Sequence, residues 1–318
     1  MPGSLTPPPD NSTIVRSAKH PVFQRATLAS VGVLSRIAPA AAARLAKRLF
    51  LTPSRYPAPE REREVLARGR PRSVRVAGRR IATWSWGAGP RILLVHGWGG
   101  RGGQLSAFVE PLVAHGFSVT AFDGPAHGAS EGRVATIPEM AEAFRGVVDA
   151  VGPVRGIVAH SGGCAVSAWA VRQLLLEGFV ELPAAIALVA PAADFRGYLE
   201  GFMEACGLSA DARRLLERGL EARVGVPPEA FDLARFASEL PLAGLVVHDQ
   251  DDAEVRWTEG AVIAAAWPGA ELVTTHRLGH RRILRDPEVV TRVTGFLAAQ
   301  LGRDPGRAGE LSTVAALC

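Results

Sequence analysis

Ser161 is the residue whose surroundings point most directly to chemistry. It stands in Ala159-His160-Ser161-Gly162-Gly163, after the apolar run Gly156–Ala159 and before an apolar segment opened by Cys164. A serine at the tip of a strand-to-helix turn has a strained, crowded backbone, so small residues are needed two before and two after it. Ala159 and Gly163 meet that need. Such a turn lifts the hydroxyl above the sheet edge and aims a helix N-terminus at the place where negative charge develops. A helix N-cap serine would also fit the five residues alone; their place between a buried strand and an apolar helix favours the nucleophile.

A hydroxyl is a weak nucleophile at neutral pH and needs a base oriented by a third group. His280 follows the last strand pattern by a few residues and lacks the apolar periodicity of a core position, so it is the expected base, with His276 its neighbour. The acid belongs at the end of the preceding strand, where Val-Val-His-Asp-Gln-Asp-Asp supplies Asp249, Asp251 and Asp252. One carboxylate suffices to fix the imidazole tautomer. A solvated acidic loop or a loose divalent-cation site is the rival reading, but a calcium loop would need a different alternation and a closing glutamate, so no metal is expected. The two amide hydrogens that an oxyanion needs are assigned to Gly162 and to Trp98, in the glycine-rich loop His96-Gly97-Trp98-Gly99-Gly100. That loop has neither glycine fingerprint of a nucleotide site, and no cofactor is implied. His96, His160, Phe195, Tyr198, Phe202 and Met203 are the candidate pocket residues.

The elements that must position these groups are read from periodicity. Ser73–Gly78 and Arg79–Gly87 alternate as two antiparallel strands around a tight turn. The continuous apolar run 91–97 fits a strand covered on both faces, and 117–122, 154–160, 184–190, 242–249 and 270–275 are further strand candidates. Between them 105–115, 137–151 and 164–176 are helical in period, and 287–301 closes the domain. Strand, loop and helix repeated in this way predict an α/β fold with a mostly parallel central sheet and helices on both faces. Residues 191–241 are too long for an unstructured loop and hold two or three helical patterns, so a small helical insertion is expected, serving as a lid. The organisation expected is a tail and helical arm over 1–72, the α/β domain over 73–301 with its lid, and a tail over 302–318. Within the arm, an Ala-rich helix over 26–50 should break near Pro39.

Composition excludes several classes. The chain has 318 residues, 47% hydrophobic and 21% charged, which suits a packed globular protein. The net charge of +5 is dispersed, and aromatic residues make up 6%, so a solvated basic face outweighs a nucleic-acid groove. Three cysteines, Cys164, Cys206 and Cys318, make no disulfide framework and indicate a reducing, cytoplasmic setting. No signal-peptide pattern opens the sequence. Arg36, Pro39 and Arg44 interrupt the Ala-rich run short of a membrane span, and a packed helix is favoured there over contact with a membrane surface.

Together these segments resemble the α/β-hydrolase superfamily over Ser73–Leu301. The resemblance is carried by His96-Gly97-Trp98, by Asp123-Gly124-Pro125-Ala126-His127-Gly128-Ala129-Ser130, by Ala159–Gly163, by His248–Val255 and by Gly279-His280. In the acid-strand pattern of that family, His-Gly-x-x-Asp-x-x-Val, the catalytic aspartate falls three after the glycine, which selects Asp252 over Asp251; Asp249 replaces the glycine itself. The resemblance implies a serine hydrolase of the carboxylesterase type, acting on a small ester or thioester through an acyl-enzyme. A catalytically idle binding protein on the same fold and a serine acyltransferase are the alternatives. Oligomeric state and natural substrate are not legible in the sequence.

Overall fold

The computed structural model describes residues 22–302. The first dozen residues and Cys318, expected as parts of terminal tails, lie outside them. The described chain divides into two compact units.

The larger unit, Arg48–Phe195 with the described residues from Arg223 onward, is built on an eight-stranded sheet. In chain order its strands are β1 (Arg70–Val76), β2 (Arg79–Trp86), β3 (Arg91–Val95), β4 (Ser118–Phe122), β5 (Val154–His160), β6 (Ala185–Val189), β7 (Ala243–Asp249) and β8 (Glu271–Thr275). Their order across the sheet is β1-β2-β4-β3-β5-β6-β7-β8. β1, β2 and β4 pair antiparallel, and every pairing from β4 to β8 is parallel. β1 begins at Arg70, three residues before the alternation becomes visible. Arg70-Pro71-Arg72 are exposed on the sheet edge, where proline and charge are tolerated in a strand.

The inner strands β3 to β7 are buried on both faces, as successive residues of β3 show, whereas β8 at the sheet edge is largely exposed. Leu93 and Val95 pack on one side with α5 (Ile137–Val151), α6 (Gly162–Leu176) and α9 (Trp257–Ala266). Ile92 and Leu94 pack on the other with α4 (Val109–Ala114) and α11 (Pro287–Gly302). α5 is capped by Thr136, whose hydroxyl accepts the Glu139 N–H while Glu139 reaches back to the same hydroxyl. Where a helix is expected over 105–115, the chain instead winds as a 3₁₀ helix over Gly102–Phe108 before α4; the Gly102 N–H is taken by Asp123 Oδ1 at 2.7 Å.

Residues just before the sheet are tied into it. α3 (Glu60–Arg68) receives the indole N–H of Trp86 on the Val65 carbonyl, 3.1 Å. Glu62 pairs with Arg101 at 2.6 Å. Arg55 donates to the carbonyls of Ala126 and Ser130, both at 2.8 Å.

The smaller unit joins the described residues up to Lys47 with Arg196–Ala222. α1 (Val22–Ile37) and α2 (Pro39–Phe50) meet at Ala38, and Pro39, with no N–H to satisfy, opens α2 in its first turn. Ser209 donates two hydrogen bonds to Ser35, from its N–H to Ser35 Oγ at 3.0 Å and from its hydroxyl to the Ser35 carbonyl at 2.8 Å. These link α1 to the junction of α7 (Phe195–Ala205) and α8 (Ala210–Val224), and Arg196 pairs with Glu217 at 2.9 Å. Among the described residues no helix is long and apolar enough to cross a membrane.

Two ion pairs of unequal burial make a direct test of these ties. The Arg101 and Glu62 side chains are 12% and 7% exposed, whereas Arg68 and Glu110 are 61% and 73% exposed. Removing one member of a buried pair strands a charge, so Glu62→Ala should lower the unfolding free energy by about 3 kcal/mol. Arg68→Ala should change it by less than ~1 kcal/mol. Urea denaturation of both variants checks the ranking, and equal effects would contradict it.

Candidate active site

β5 delivers Ser161 to a turn with φ 53° and ψ −128°. A residue other than glycine at positive φ costs on the order of 1–3 kcal/mol and persists only where its surroundings determine it. Those surroundings are close. A Cβ on Gly163 would fall 2.4 Å from the His96 carbonyl oxygen, and one on Gly97 would fall 2.8 Å from Ser161 Cβ. Both positions therefore exclude any side chain, and their glycines let the loop after β3 press against the turn after β5. The Ser161 N–H donates to the Val189 carbonyl at 3.0 Å, and Ser161 O accepts from Cys164 at 3.0 Å, which opens α6.

The structure brings Ser161, His280 and Asp252 together. Ser161 Oγ is 3.0 Å from His280 Nε2, and His280 Nδ1 is 2.7 Å from Asp252 Oδ2. His280 lies on the short helix α10 (Gly279–Arg282), after β8, and Asp252 in the loop after β7. Asp252 Oδ1 accepts the Glu254 and Val255 N–H groups at 2.8 and 3.0 Å. His248 Nε2 lies 3.4 Å from Asp252 Oδ2 and 3.2 Å from the Val255 carbonyl, so that nitrogen carries the proton and donates to both. Burial works against ionisation of Asp252, but the hydrogen bonds from His248 and His280 outweigh it and hold the carboxyl well below the usual range. An ionised Asp252 fixes the proton of His280 on Nδ1 and leaves Nε2 as an acceptor for the serine hydroxyl.

The rival acidic groups are elsewhere engaged. Asp251 is exposed and accepts the Arg277 N–H at 2.8 Å, with His276 Nδ1 3.9 Å away. Asp249 is buried and turned toward the loop after β8. Among the described residues no group of three or more His, Cys, Asp or Glu is arranged to hold a metal ion.

The amide groups of Trp98 and Gly162 lie close to each other beside the serine. A Cβ on Gly162 would lie 3.7 Å from the Trp98 nitrogen. Gly162 is the first residue of α6, and neither N–H has a hydrogen-bond partner among the described residues. Paired, unengaged N–H groups beside a hydroxyl can bind an oxyanion. Trp98 is 42% exposed, and its ring stands edge-on to His127 with centroids 5.3 Å apart.

His96 and His160, expected to face a pocket, are buried instead. His96 Nδ1–H donates to the Gly97 carbonyl at 2.7 Å, and Nε2 accepts the Gly124 N–H at 2.8 Å. His127 is used in the same way, donating from Nδ1 to Pro125 O at 2.9 Å and accepting the Gly99 N–H at 3.0 Å. Together they staple the loop bearing Trp98 to the loop after β4. Burial pushes His96 down to about 4; burial and the neighbouring His96 push His127 down to about 3. His160 donates from Nε2 to the backbone carbonyl of His280 at 2.9 Å, with the two rings 4.7 Å apart. Burial, then the proximity of His280, holds His160 neutral. Of the remaining candidates, the Phe195 ring packs edge-on to Phe231, centroids 6.0 Å apart. Tyr198 and Phe202 are half-buried and Met203 is buried on the part of α7 assigned to the smaller unit.

Residues 92–293 match the α/β hydrolase family, and the chain belongs to that family. The fold is similar to that of Est1E from Butyrivibrio proteoclasticus, solved with ferulic acid bound. That match has 19% identity and a TM-score of 0.61, over 73% of this chain and 100% of the other. It is also similar to mouse alpha/beta hydrolase domain-containing protein 10, with 17% identity, a TM-score of 0.57, and 74% and 99% of the two chains covered. An esterase from Exiguobacterium antarcticum matches at 16% identity with a TM-score of 0.54, over 71% and 98%.

Two outcomes follow from these local environments. Ser161→Gly removes the cost of positive φ and should raise the unfolding free energy by about 1 kcal/mol, read from the urea midpoint; a loss would show the turn to be unstrained. The two stapling imidazoles are neutral in the fold and titrate near 6.5 when unfolded. Above pH 6.5 they take up no protons on unfolding. As pH falls below it, the unfolded chain binds protons that the fold excludes, so stability drops until the folded values are reached. Between pH 7 and pH 5 these two groups together should lower the unfolding free energy by roughly 4 kcal/mol, and His127→Asn should flatten the slope; a slope equal in both proteins would contradict it.

Proposed function

We propose that the protein is a serine hydrolase that cleaves a small carboxylic ester or thioester through an acyl-enzyme on Ser161. The observation that carries the reading is the continuous relay from Asp252 Oδ2 through His280 to Ser161 Oγ, at 2.7 and 3.0 Å. Membership of the α/β hydrolase family supports hydrolysis as the reaction class, and a protein of similar fold carries the name esterase.

The steps follow from the proton positions. Ser161 Oγ attacks the carbonyl carbon as its proton passes to His280 Nε2, and the charged imidazole is stabilised by ionised Asp252. The carbonyl oxygen becomes an oxyanion and accepts the N–H groups of Trp98 and Gly162. Collapse of the tetrahedral intermediate breaks the bond to the leaving alcohol or thiol, which takes the proton from Nε2. Water then attacks the acyl-enzyme, its proton passing to Nε2 and on to Ser161 Oγ as the acid departs. His160 keeps to its backbone bond throughout, because a neutral buried imidazole adds no charge beside His280.

A fluorophosphonate probe should label the wild-type protein once, on the peptide containing Ser161, and leave Ser161→Ala unlabelled. With a short-chain aryl ester, Ser161→Ala and His280→Ala should each lose at least ~10³-fold in kcat, leaving only binding and oxyanion stabilisation. Labelling elsewhere, or turnover retained by pure Ser161→Ala, would refute the assignment.

A further inference from the structure

Asp249 is a buried carboxylate that the relay does not use. The resemblance noted above places a glycine at this position, where no side chain would be present. The carboxylate Oδ1 accepts the Asp251 N–H at 3.0 Å, on its own loop. Oδ2 accepts the Thr275 hydroxyl at 2.8 Å, at the end of β8, and the Leu278 N–H at 3.1 Å, on the loop after it. One side chain thus bridges the loop carrying Asp252 and the loop carrying His280.

That bridge stands where the sheet stops holding the two loops. β7 and β8 pair through His248 with Thr274 and Asp249 with Thr275, and the Gln250 N–H donates to the Thr275 carbonyl at 2.8 Å. Beyond that point no backbone hydrogen bond joins the two loops among the described residues, although His280 Nδ1 and Asp252 Oδ2 must still meet at 2.7 Å. The links from Asp251 to the Arg277 N–H and from Glu254 to Arg281 are exposed to water. An exposed bond of that kind contributes little rigidity, whereas a buried carboxylate loses much if its donors move away. Burial works against the charge on Asp249, and the hydrogen bonds of Gly279, Thr275, Leu278 and Asp251 outweigh it, so the carboxyl titrates below its ordinary value. It is ionised at neutral pH and accepts from every donor at once.

We propose that Asp249 is a positioning residue that locks the acid loop to the base loop and thereby sets the Asp252–His280 hydrogen bond. The inference rests on the reading of Ser161, His280 and Asp252 given above. It implies that the chain has replaced a turn glycine by an acceptor, and that the orientation of the imidazole depends on that acceptor.

The test uses the full chain and three variants, Asp249→Gly, Asp249→Asn and Thr275→Val, read by kcat and KM on a short-chain aryl ester. A second readout is the downfield proton NMR signal of His280 Nδ1–H, which reports the bond to Asp252 without turnover. Asp249→Gly and Asp249→Asn should lose at least ~10-fold in kcat with KM within about twofold, and the downfield signal should broaden or vanish. Asp249→Asn keeps the shape but turns an amide NH₂ toward donors. Thr275→Val, which removes one donor, should lose about two- to fivefold in kcat with a weakened signal. Wild-type kcat and an unchanged signal in folded Asp249 variants would overturn the proposal, as would a loss confined to KM. If the Asp249 variants fail to fold, Thr275→Val decides by the same two readouts. A wild-type protein that is neither labelled by fluorophosphonate nor active would instead refute the reading of Ser161, and the NMR comparison would still judge Asp249.

Discussion

The positive φ of Ser161 is sustained from outside, by the loop after β3 and the turn after β5 pressed together without room for a side chain at Gly97 or Gly163. That contact decides much of what surrounds it. It requires β3 and β5 to be neighbours, which they are at the centre of the parallel sheet. It also requires a small residue at the end of β5, where Ala159 is fully buried. The hydroxyl then has one direction to point, toward the ends of β7 and β8, from whose loops the imidazole and carboxylate arrive. Strain at one residue is offset by the packing of a whole sheet.

Three of the histidines, His96, His127 and His160, serve as uncharged connectors. His96 and His127 each donate from one ring nitrogen and accept at the other, so the backbone itself selects the tautomer. His160 and His248 each donate from Nε2, and in both the buried Nδ1 has no partner in the structure. Burial keeps His96, His127 and His160 neutral. His280 differs in lying between an ionised carboxylate and the Ser161 hydroxyl.

Much of the fold was legible because its inner strands are buried on both faces and read as apolar runs, as in 91–95 and 243–249. The order of Ser161, the acidic loop and His280 along the chain was equally visible, and the structure brings those residues together. Less was visible where a residue's partner is distant in sequence. Nothing in the spacing ties Ser35 to Ser209, so the smaller unit, drawn from two separate stretches of chain, could not be read from either one. The basic, proline-containing start of β1 carries no apolar alternation, because only its edge position makes it a strand. His96 and His160 could be placed beside the nucleophile by sequence but not turned inward, since their backbone acceptors come from other loops. Asp249 stood out as a departure from a glycine pattern, and only the loop opposite explains it.

The nucleophile is tested most directly by trapping its covalent product. Mixing the protein with a slowly deacylating aryl ester and quenching in acid should give an intact mass raised by one acyl group. Peptide mapping should place that group on Ser161 Oγ, with none in Ser161→Ala. Ester cleavage with no acylated protein at any time, or an acyl group carried on another residue, would contradict a covalent route through Ser161.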